Sequence, residues 1–600
     1  MDEALAYVGE SSTYQNLLLY LVLLPCVLPC GFHAYSQLFM GSSPSYTCRT
    51  PPSLAHLHPL IAKNLSLPTD DNSRCLMYER NYTELVLTQN YTIPAPGTRL
   101  VPCLHGWEFD YTKYATTVVT EWEMVCQKDF YTTLALVLLG FGGLVGNYIF
   151  GYLQDSIGRR PSFFIYLFIE CLFGIATAFA PDFTTWTIFR VGVGFTVPAI
   201  LGTPYVLAIE LVGPSYRTMV TILTNIAYSL GLVALAVIAY LVRDWRQLAL
   251  ATSVPFLTFF LYWWVLPESP RWLLARGRFD EAEKILNTMA RVNGRSLPPN
   301  YIVDLKRKYQ VDRYMKEKEF EKGQTKERTY GVADLFRTPN LRRKTVIITF
   351  IWFTNTSVYV GLSYYASVLS GDEFLNFLLA GAVELPTYLV LWPGMQRIGR
   401  RWTVCISMLI GGGACLATVL CQQDDTTTLI LYCIGKMGIS SSYVVLPLMA
   451  SELYPTVVRG LGMSTSSVAG MLGPVFIPIV NYMGADHLVL PLVIMGSLLV
   501  AGGGCSLLLP ETLHQHLPQT LEDGENFGQN SITCCPPRVS DVSPKKQTNM
   551  AESPIKSLLH VSLRDTPAST PIATDITSST DVTSDTVFSL QEHTLRVTVV

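Results

Sequence analysis

Charge is what this sequence has least of. Asp, Glu, Lys and Arg make up 15% of its 600 residues, against about a quarter in soluble proteins, too few to cover the surfaces of several water-soluble domains. Neither sign is in surplus: 43 Lys and Arg against 46 Asp and Glu leave a net charge of −3, so there is no basic field for nucleic acid. No Gly-x-x-x-x-Gly-Lys-Ser/Thr phosphate loop is present, which excludes ATP-driven work. His-Glu-x-x-His and Gly-x-Ser-x-Gly are also missing, so neither an enzyme nor a metal or cofactor site is expected. The first apolar run lacks a small-residue cleavage site and follows Asp2, Glu3 and Glu10 in place of a basic stretch, so it reads as a retained span and not a signal peptide.

What is abundant is apolar sequence, 49% of residues with a mean hydropathy of +0.30. A bilayer core needs about 20 apolar residues per helix. Twelve such runs lie at about 17–39, 131–152, 161–181, 184–206, 218–241, 246–266, 345–369, 373–395, 402–421, 427–449, 461–483 and 488–509, predicting an all-α polytopic membrane protein with both termini on one side. Residues 268–344 hold 19 of the 43 Lys and Arg, so this connector, residues 1–16 and the tail from 511 are expected in the cytoplasm. The opposite side receives 40–130, with the acceptor sequences of Asn64, Asn81 and Asn90 and the cysteines Cys48, Cys75, Cys103 and Cys126. Glycan acceptors beside oxidisable cysteines predict an extracellular loop; four cysteines allow three pairings, which the sequence leaves open. Arg243 and Arg246 are a local exception to the charge rule.

The chain also repeats itself at long period. Gly158-Arg159-Arg160 returns as Gly399-Arg400-Arg401, Glu210 with Arg217 as Glu452 with Arg459, and Pro267-Glu268-Ser269 as Pro510-Glu511-Thr512, all offset by 241–243 residues. Two six-span units, 17–267 and 345–510, are therefore expected around the basic connector. Gly151-Tyr-Leu-Gln-Asp155-Ser-Ile-Gly158-Arg159-Arg160 resembles the loop signature of the major facilitator superfamily. Cys103-Leu-His-Gly-Trp107, Thr120-Glu-Trp122-Glu-Met-Val-Cys126, Pro267-Glu268-Ser-Pro-Arg271-Trp-Leu-Leu-Ala-Arg-Gly277 and Glu452-Leu-Tyr-Pro-Thr-Val-Val-Arg459 are similar to segments of its organic cation, organic anion and carnitine transporter branch. The resemblance runs from about 14 to 523. It implies the major facilitator fold, with twelve helices in two pseudo-symmetric six-helix bundles, and a plasma-membrane secondary transporter of small organic cations or zwitterions such as carnitine, β-alanine, carcinine or choline-like amines. A carrier of organic anions or a proton-coupled sugar carrier is the alternative, with Glu170 then available for proton coupling.

Each charge inside a span costs roughly 2.5–3.5 kcal/mol on insertion scales and calls for a role. Glu384, beside Pro386, is the expected counter-charge for a cationic substrate, or else a partner for Lys436. Lys436 engages either a substrate carboxylate or another span. Arg190 contacts substrate or serves packing, and His33 is expected to be hydrogen-bonded within the bundle. Trp352, Tyr359 and Tyr365 on the seventh span offer faces to an amine. Where carriers resembling this one tend to have Asp or Arg, twelve residues beyond Arg459, this chain has Met471, leaving the sign of the site to Glu384, Lys436 and Arg190. Gln396 likewise stands where the second-half signature usually has Asp. Asp155, Arg159, Glu210, Arg217, Glu268, Arg400, Glu452 and Arg459 are expected to form salt bridges that close the cytoplasmic side and break as the halves rock. From about 524 the chain turns to Ser, Thr, Pro and Asp, a disordered composition. It ends in Thr598-Val599-Val600, the pattern captured by PDZ-type partners.

Overall fold

The computed structural model describes residues 2–528, apart from 69–73, 89–90, 96, 299–300, 322–330, 370, 422–423, 485–488, 514 and 516. Asn90, Cys534, Cys535 and the Thr598-Val600 ending lie outside the described residues. Among the described residues, ten helices are long and apolar enough to cross a membrane: Thr13–Met40, Cys126–Ile157, Arg159–Thr177, Phe183–Leu211, Pro214–Leu241, Pro339–Tyr365, Glu373–Ile398, Arg400–Leu420, Asp425–Leu453 and Arg459–Met483. They correspond to the first five and the seventh to eleventh runs. The sixth run is an α-helix, Trp245–Ser253, that tightens into the 3₁₀ stretch Val254–Trp264; Pro255 has no N–H to continue the α ladder. The twelfth is the shorter helix Leu490–Ser506.

Two spans break in their middle, each just upstream of a proline. The eighth divides into Glu373–Ala382 and Glu384–Ile398 around Val383, and the eleventh into Arg459–Gly470 and Leu472–Met483 around Met471. Pro386 and Pro474 each remove the amide that would bond four residues back. Glu384 and Met471 therefore sit at these interruptions.

The six-span halves meet along two seams, second span against eleventh and fifth against eighth. Both depend on glycine. A Cβ on Gly140 would fall 2.7 Å from the Pro474 carbonyl oxygen, and one on Gly381 would fall 3.1 Å from the Leu232 side chain, so the absence of side chains lets the backbones approach.

The repeat is visible in three dimensions. Gly158 and Gly399, at φ +107° and +97°, end the second and eighth spans and open the third and ninth. Glu268 accepts from the Arg159 and Arg160 amides at 2.9 and 3.3 Å, and Glu511 from those of Arg400 and Arg401 at 2.8 and 3.2 Å. A carboxylate at an exposed helix N-terminus satisfies free N–H groups and meets the positive end of the dipole. Burial pushes the Glu268 carboxyl above its ordinary range, partly offset by the Ser269, Arg159 and Arg160 amides and the Arg159 charge.

The first loop folds as two small antiparallel pairs, Tyr46–Cys48 with Trp107–Phe109 and Leu76–Tyr78 with Leu100–Pro102. The disulfides are Cys48–Cys103 and Cys75–Cys126, which selects one of the three pairings. Asn64 and Asn81 are exposed, whereas Asn355, which opens a further acceptor sequence, Asn355-Thr356-Ser357, inside the seventh span, is buried and donates to the Ile351 carbonyl. The loop also explains Arg246, whose guanidinium meets Glu121 at 2.5 Å, donates to the Ala178 carbonyl at 2.8 Å and stacks over Trp245. On the connector side, Trp272 of Pro270–Ala275 donates to the Asp155 carbonyl at 2.9 Å, and the N-terminal helix Asp2–Val8 packs on Phe279–Val292.

Part of the stretch assigned to the tail above is folded: helix Leu521–Asn526 places Glu525 against the Asn340 and Leu341 amides, both at 2.9 Å, and Lys344 donates to the Gly524 and Phe527 carbonyls. Glu525 thereby caps the start of the seventh helix, which begins at Pro339, six residues before the expected 345.

Candidate functional site: a buried ion pair between the halves

Glu384, at the break of the eighth span, is fully buried. Lys436 of the tenth span lies 3.2 Å from its Oε1, and neither side chain is exposed. Oε1 also accepts from the Ser440 hydroxyl at 3.0 Å. Oε2 accepts from Tyr359 at 3.2 Å, Tyr388 at 3.0 Å and Ser229. Lys436 Nζ donates to Ser363 at 2.6 Å and to the Tyr359 carbonyl at 3.3 Å, and stands 3.6 Å from the Tyr359 ring centroid. A charge removed from water is tolerated only when paired and fully hydrogen-bonded, and both conditions hold. Ser229 belongs to the fifth span, so the carboxylate bonds to both halves at once.

Rings wall this centre. Tyr359 stacks on Tyr443 at 5.0 Å and faces Tyr228 at 6.2 Å; the Tyr228 hydroxyl donates to that of Tyr35 at 3.4 Å. Such faces and hydroxyls suit an amine. The other candidates lie apart. Trp352 is buried, with its carbonyl facing Gly470 next to Met471, and Tyr365 packs on Tyr432. Arg190 belongs to a second buried cluster in the first half, donating to Gln37 at 3.0 Å, to the His33 carbonyl at 3.1 Å and to Ser36 at 3.3 Å. There His33 Nδ1 lies 2.7 Å from Glu170, which also accepts from Thr196.

Tyr388 and Ser440 were not singled out from the sequence, although each lies four residues, one helical turn, beyond a residue that was. Ser363 follows Tyr359 in the same way. Ser229 carried no signal, because its role arises only where the halves meet.

Several of the charges expected to latch the connector side are paired. Asp155–Arg159 at 3.4 Å and Arg159–Glu210 at 2.8 Å tie spans of the first half. Arg400–Glu452 at 3.4 Å, with Thr512 donating to Glu452, ties spans of the second. Arg459 donates to Thr456 in its own half, and Arg217 opens the fifth span. Each of these pairs lies within one half, because each sits at a loop whose neighbours come from the same repeat. On the first-loop side the halves are also joined by a ring cluster. Phe39 packs on Phe374 at 5.5 Å and Phe377 at 5.3 Å, and Tyr114 and Tyr240 close on Phe374.

Two pseudo-symmetric six-span halves enclosing a buried charged centre define a membrane carrier of the major facilitator type. The sequence matches the sugar (and other) transporter family over residues 99–522, and the chain belongs to it. It is 54% identical over 582 residues to the β-alanine transporter of Drosophila melanogaster, covering 93% of this chain and 94% of the relative. It is 44% identical over 543 residues to the carcinine transporter of the same organism, covering 88% and 80%. To the organic cation/carnitine transporter 2 of Homo sapiens it is 32% identical over 536 residues, covering 87% and 93%. The inward open conformation of the xylose transporter XylE from E. coli shares the fold, with a TM-score of 0.53 at 15% identity over 85% of this chain and 99% of that one.

Proposed function

We propose that the chain carries small zwitterions and organic cations, of the β-alanine and carcinine kind, across the plasma membrane by alternating access. The observation that carries this reading is the solvent-free Glu384–Lys436 pair, hydrogen-bonded to both halves and walled by tyrosines. An amino-carboxylate satisfies both charges of such a pair by exchange: its ammonium takes the Glu384 oxygens, its carboxylate takes Lys436 Nζ, and no charge is left bare. A simple amine replaces Lys436 at Glu384 and gains the faces of Tyr359 and Tyr228. Because Glu384 also accepts from Ser229, ligand entry loosens a contact between the halves, and that coupling is what a rocking carrier needs. Relatives named for β-alanine and carcinine support this substrate class.

The basic connector, both termini and the 529–600 tail belong in the cytoplasm on this reading, and the disulfide-bonded loop with Asn64, Asn81 and Asn90 belongs outside. The Thr598-Val600 ending is then accessible to a PDZ-type partner. The test is uptake by cells expressing the chain from a panel of β-alanine, carnitine, tetraethylammonium and an aromatic carboxylate, with and without sodium. Uptake of β-alanine or the cations is the expected result; preferential uptake of the aromatic carboxylate overturns the assignment. Glycosidase sensitivity of the first loop tests the orientation, and an unmodified loop refutes it.

A further inference from the structure

The two ends of the buried ion pair are built differently. Glu384 is surrounded by side-chain hydroxyls that donate to it, whereas Lys436 is surrounded by oxygens that accept. Its ammonium has three N–H groups, and they reach Glu384 at 3.2 Å, the Ser363 hydroxyl at 2.6 Å and the Tyr359 carbonyl at 3.3 Å. Ser363 is buried and gives its own proton to that same Tyr359 carbonyl at 2.8 Å, an oxygen that the backbone ladder of its helix already uses. Tyr35 arrives from the first span. Its hydroxyl accepts from Tyr228 at 3.4 Å and lies within hydrogen-bonding reach of Ser363. Its ring is held edge-on to Tyr364 at 5.7 Å and against Phe377 at 5.8 Å, which fixes where the hydroxyl sits.

A hydroxyl both donates and accepts, and its proton turns to suit its neighbours. In the empty centre Ser363 accepts from Lys436 and rests its proton on a carbonyl that loses little when the proton leaves. A carboxylate that takes the place of Glu384 at Lys436 Nζ brings oxygens that one ammonium cannot satisfy, and a buried anion is tolerated only when its remaining lone pairs find donors. Ser363 already touches Nζ, and Tyr35 adjoins Ser363, so these two O–H groups are the donors next to Lys436 that can turn onto it. A simple amine brings no oxygens and uses neither.

We propose that Ser363 and Tyr35 are the residues that select amino-carboxylates over simple amines, receiving the substrate carboxylate together with Lys436. The inference rests on the zwitterion-carrier reading and assigns the carboxylate end of that same site. Ser363 belongs to the second half and Tyr35 to the first, so a carboxylate held by both touches the two halves at once, as Glu384 does through Ser229. A zwitterion therefore bridges the halves at both of its ends and an amine at one.

The test is equilibrium binding of β-alanine and of propylamine to the purified full-length chain in detergent. The two molecules differ only where one has a carboxylate and the other a methyl group. The wild type is expected to bind β-alanine the more tightly. Ser363→Ala and Tyr35→Phe each lower the ratio of the two affinities by about tenfold, the loss of one hydrogen bond to a charged group, and Ser363→Thr, which keeps the hydroxyl, retains most of the ratio. Equal loss of both ligands, the result of a purely structural role, overturns the proposal. So does a ratio that neither substitution moves, or a wild type that holds propylamine as tightly as β-alanine. The two readings fail distinguishably: a wild type that binds neither molecule and moves no panel substrate refutes the carrier assignment and this inference with it, whereas one that carries β-alanine while the ratio stays fixed in both variants refutes the selection alone.

Discussion

Replacing Glu384 by Gln preserves shape and an acceptor oxygen for the surrounding hydroxyls, but strands the ammonium of Lys436. The two groups are 3.2 Å apart with no exposure, and removing one partner of such a pair costs about 3–5 kcal/mol, much of it the penalty of the charge left behind. Lys436 keeps the Ser363 hydroxyl, the Tyr359 carbonyl and the Tyr359 ring, so the lower end of that range is expected. Lys436→Met leaves Glu384 with its hydroxyl donors and costs a similar amount. The double variant has no bare charge, so its loss falls short of the sum of the singles, with a coupling of about 1–3 kcal/mol. Thermal unfolding in detergent measures the stability and β-alanine uptake the function. Both singles should melt below the wild type, the double should lose less than the two singles added together, and none of the three should transport. Glu384→Gln protein that melts with the wild type and carries β-alanine at the wild-type rate refutes the reasoning on both counts.

Gly158→Ala and Gly399→Ala should each destabilise the folded chain by about 1–3 kcal/mol, because both glycines hold a backbone conformation nearly closed to other residues, with the clamping carboxylate 2.3 and 2.5 Å from any added Cβ; the melting temperature reads the effect. Breaking Cys48–Cys103, which closes a loop with a sequence separation of 55, should cost about 2–5 kcal/mol, and limited proteolysis of Cys48→Ser should cut within 40–130 where the wild type resists. Glu268 has a carboxyl pushed up from 4.5 by burial, so the folded state holds its proton more tightly than the unfolded state. Its contribution to stability then falls as pH rises from about 4.5 through the raised folded value, and Glu268→Gln should flatten that part of the melting-temperature profile.

Hydropathy made the spans legible, because each must bury its own backbone polar groups in lipid and so needs a long apolar run. Their ends were less so. The seventh helix continues back through Arg342, Arg343 and Lys344, which read as connector, because Glu525 and the carbonyls of Gly524 and Phe527 arrive from the far end of the chain to hold it. The sixth run looked like a full span, and only Pro255 hinted at its tightened second half. At the centre, composition alone exposed Glu384 and Lys436, since a charge within an apolar run stands out. Whether they meet each other or a substrate depended on how the eighth and tenth spans face, which one-dimensional periodicity leaves open. The loop charges show the same limit: their identity was readable, and their partners within each half were set by tertiary packing.

The two glycine-lined seams have a mechanical meaning. Where side chains interlock, sliding one helix past another requires knobs to be lifted out of holes, and each such step adds to the barrier. Gly140 against Pro474 and Gly381 against Leu232 present smooth bearings in place of teeth, while Glu268 and Glu511 stiffen the bodies on either side. Resistance to rocking is thereby moved away from the bearings and concentrated in the ring cluster around Phe374 and the ion pair at Glu384, a contact that the exchange proposed above would undo.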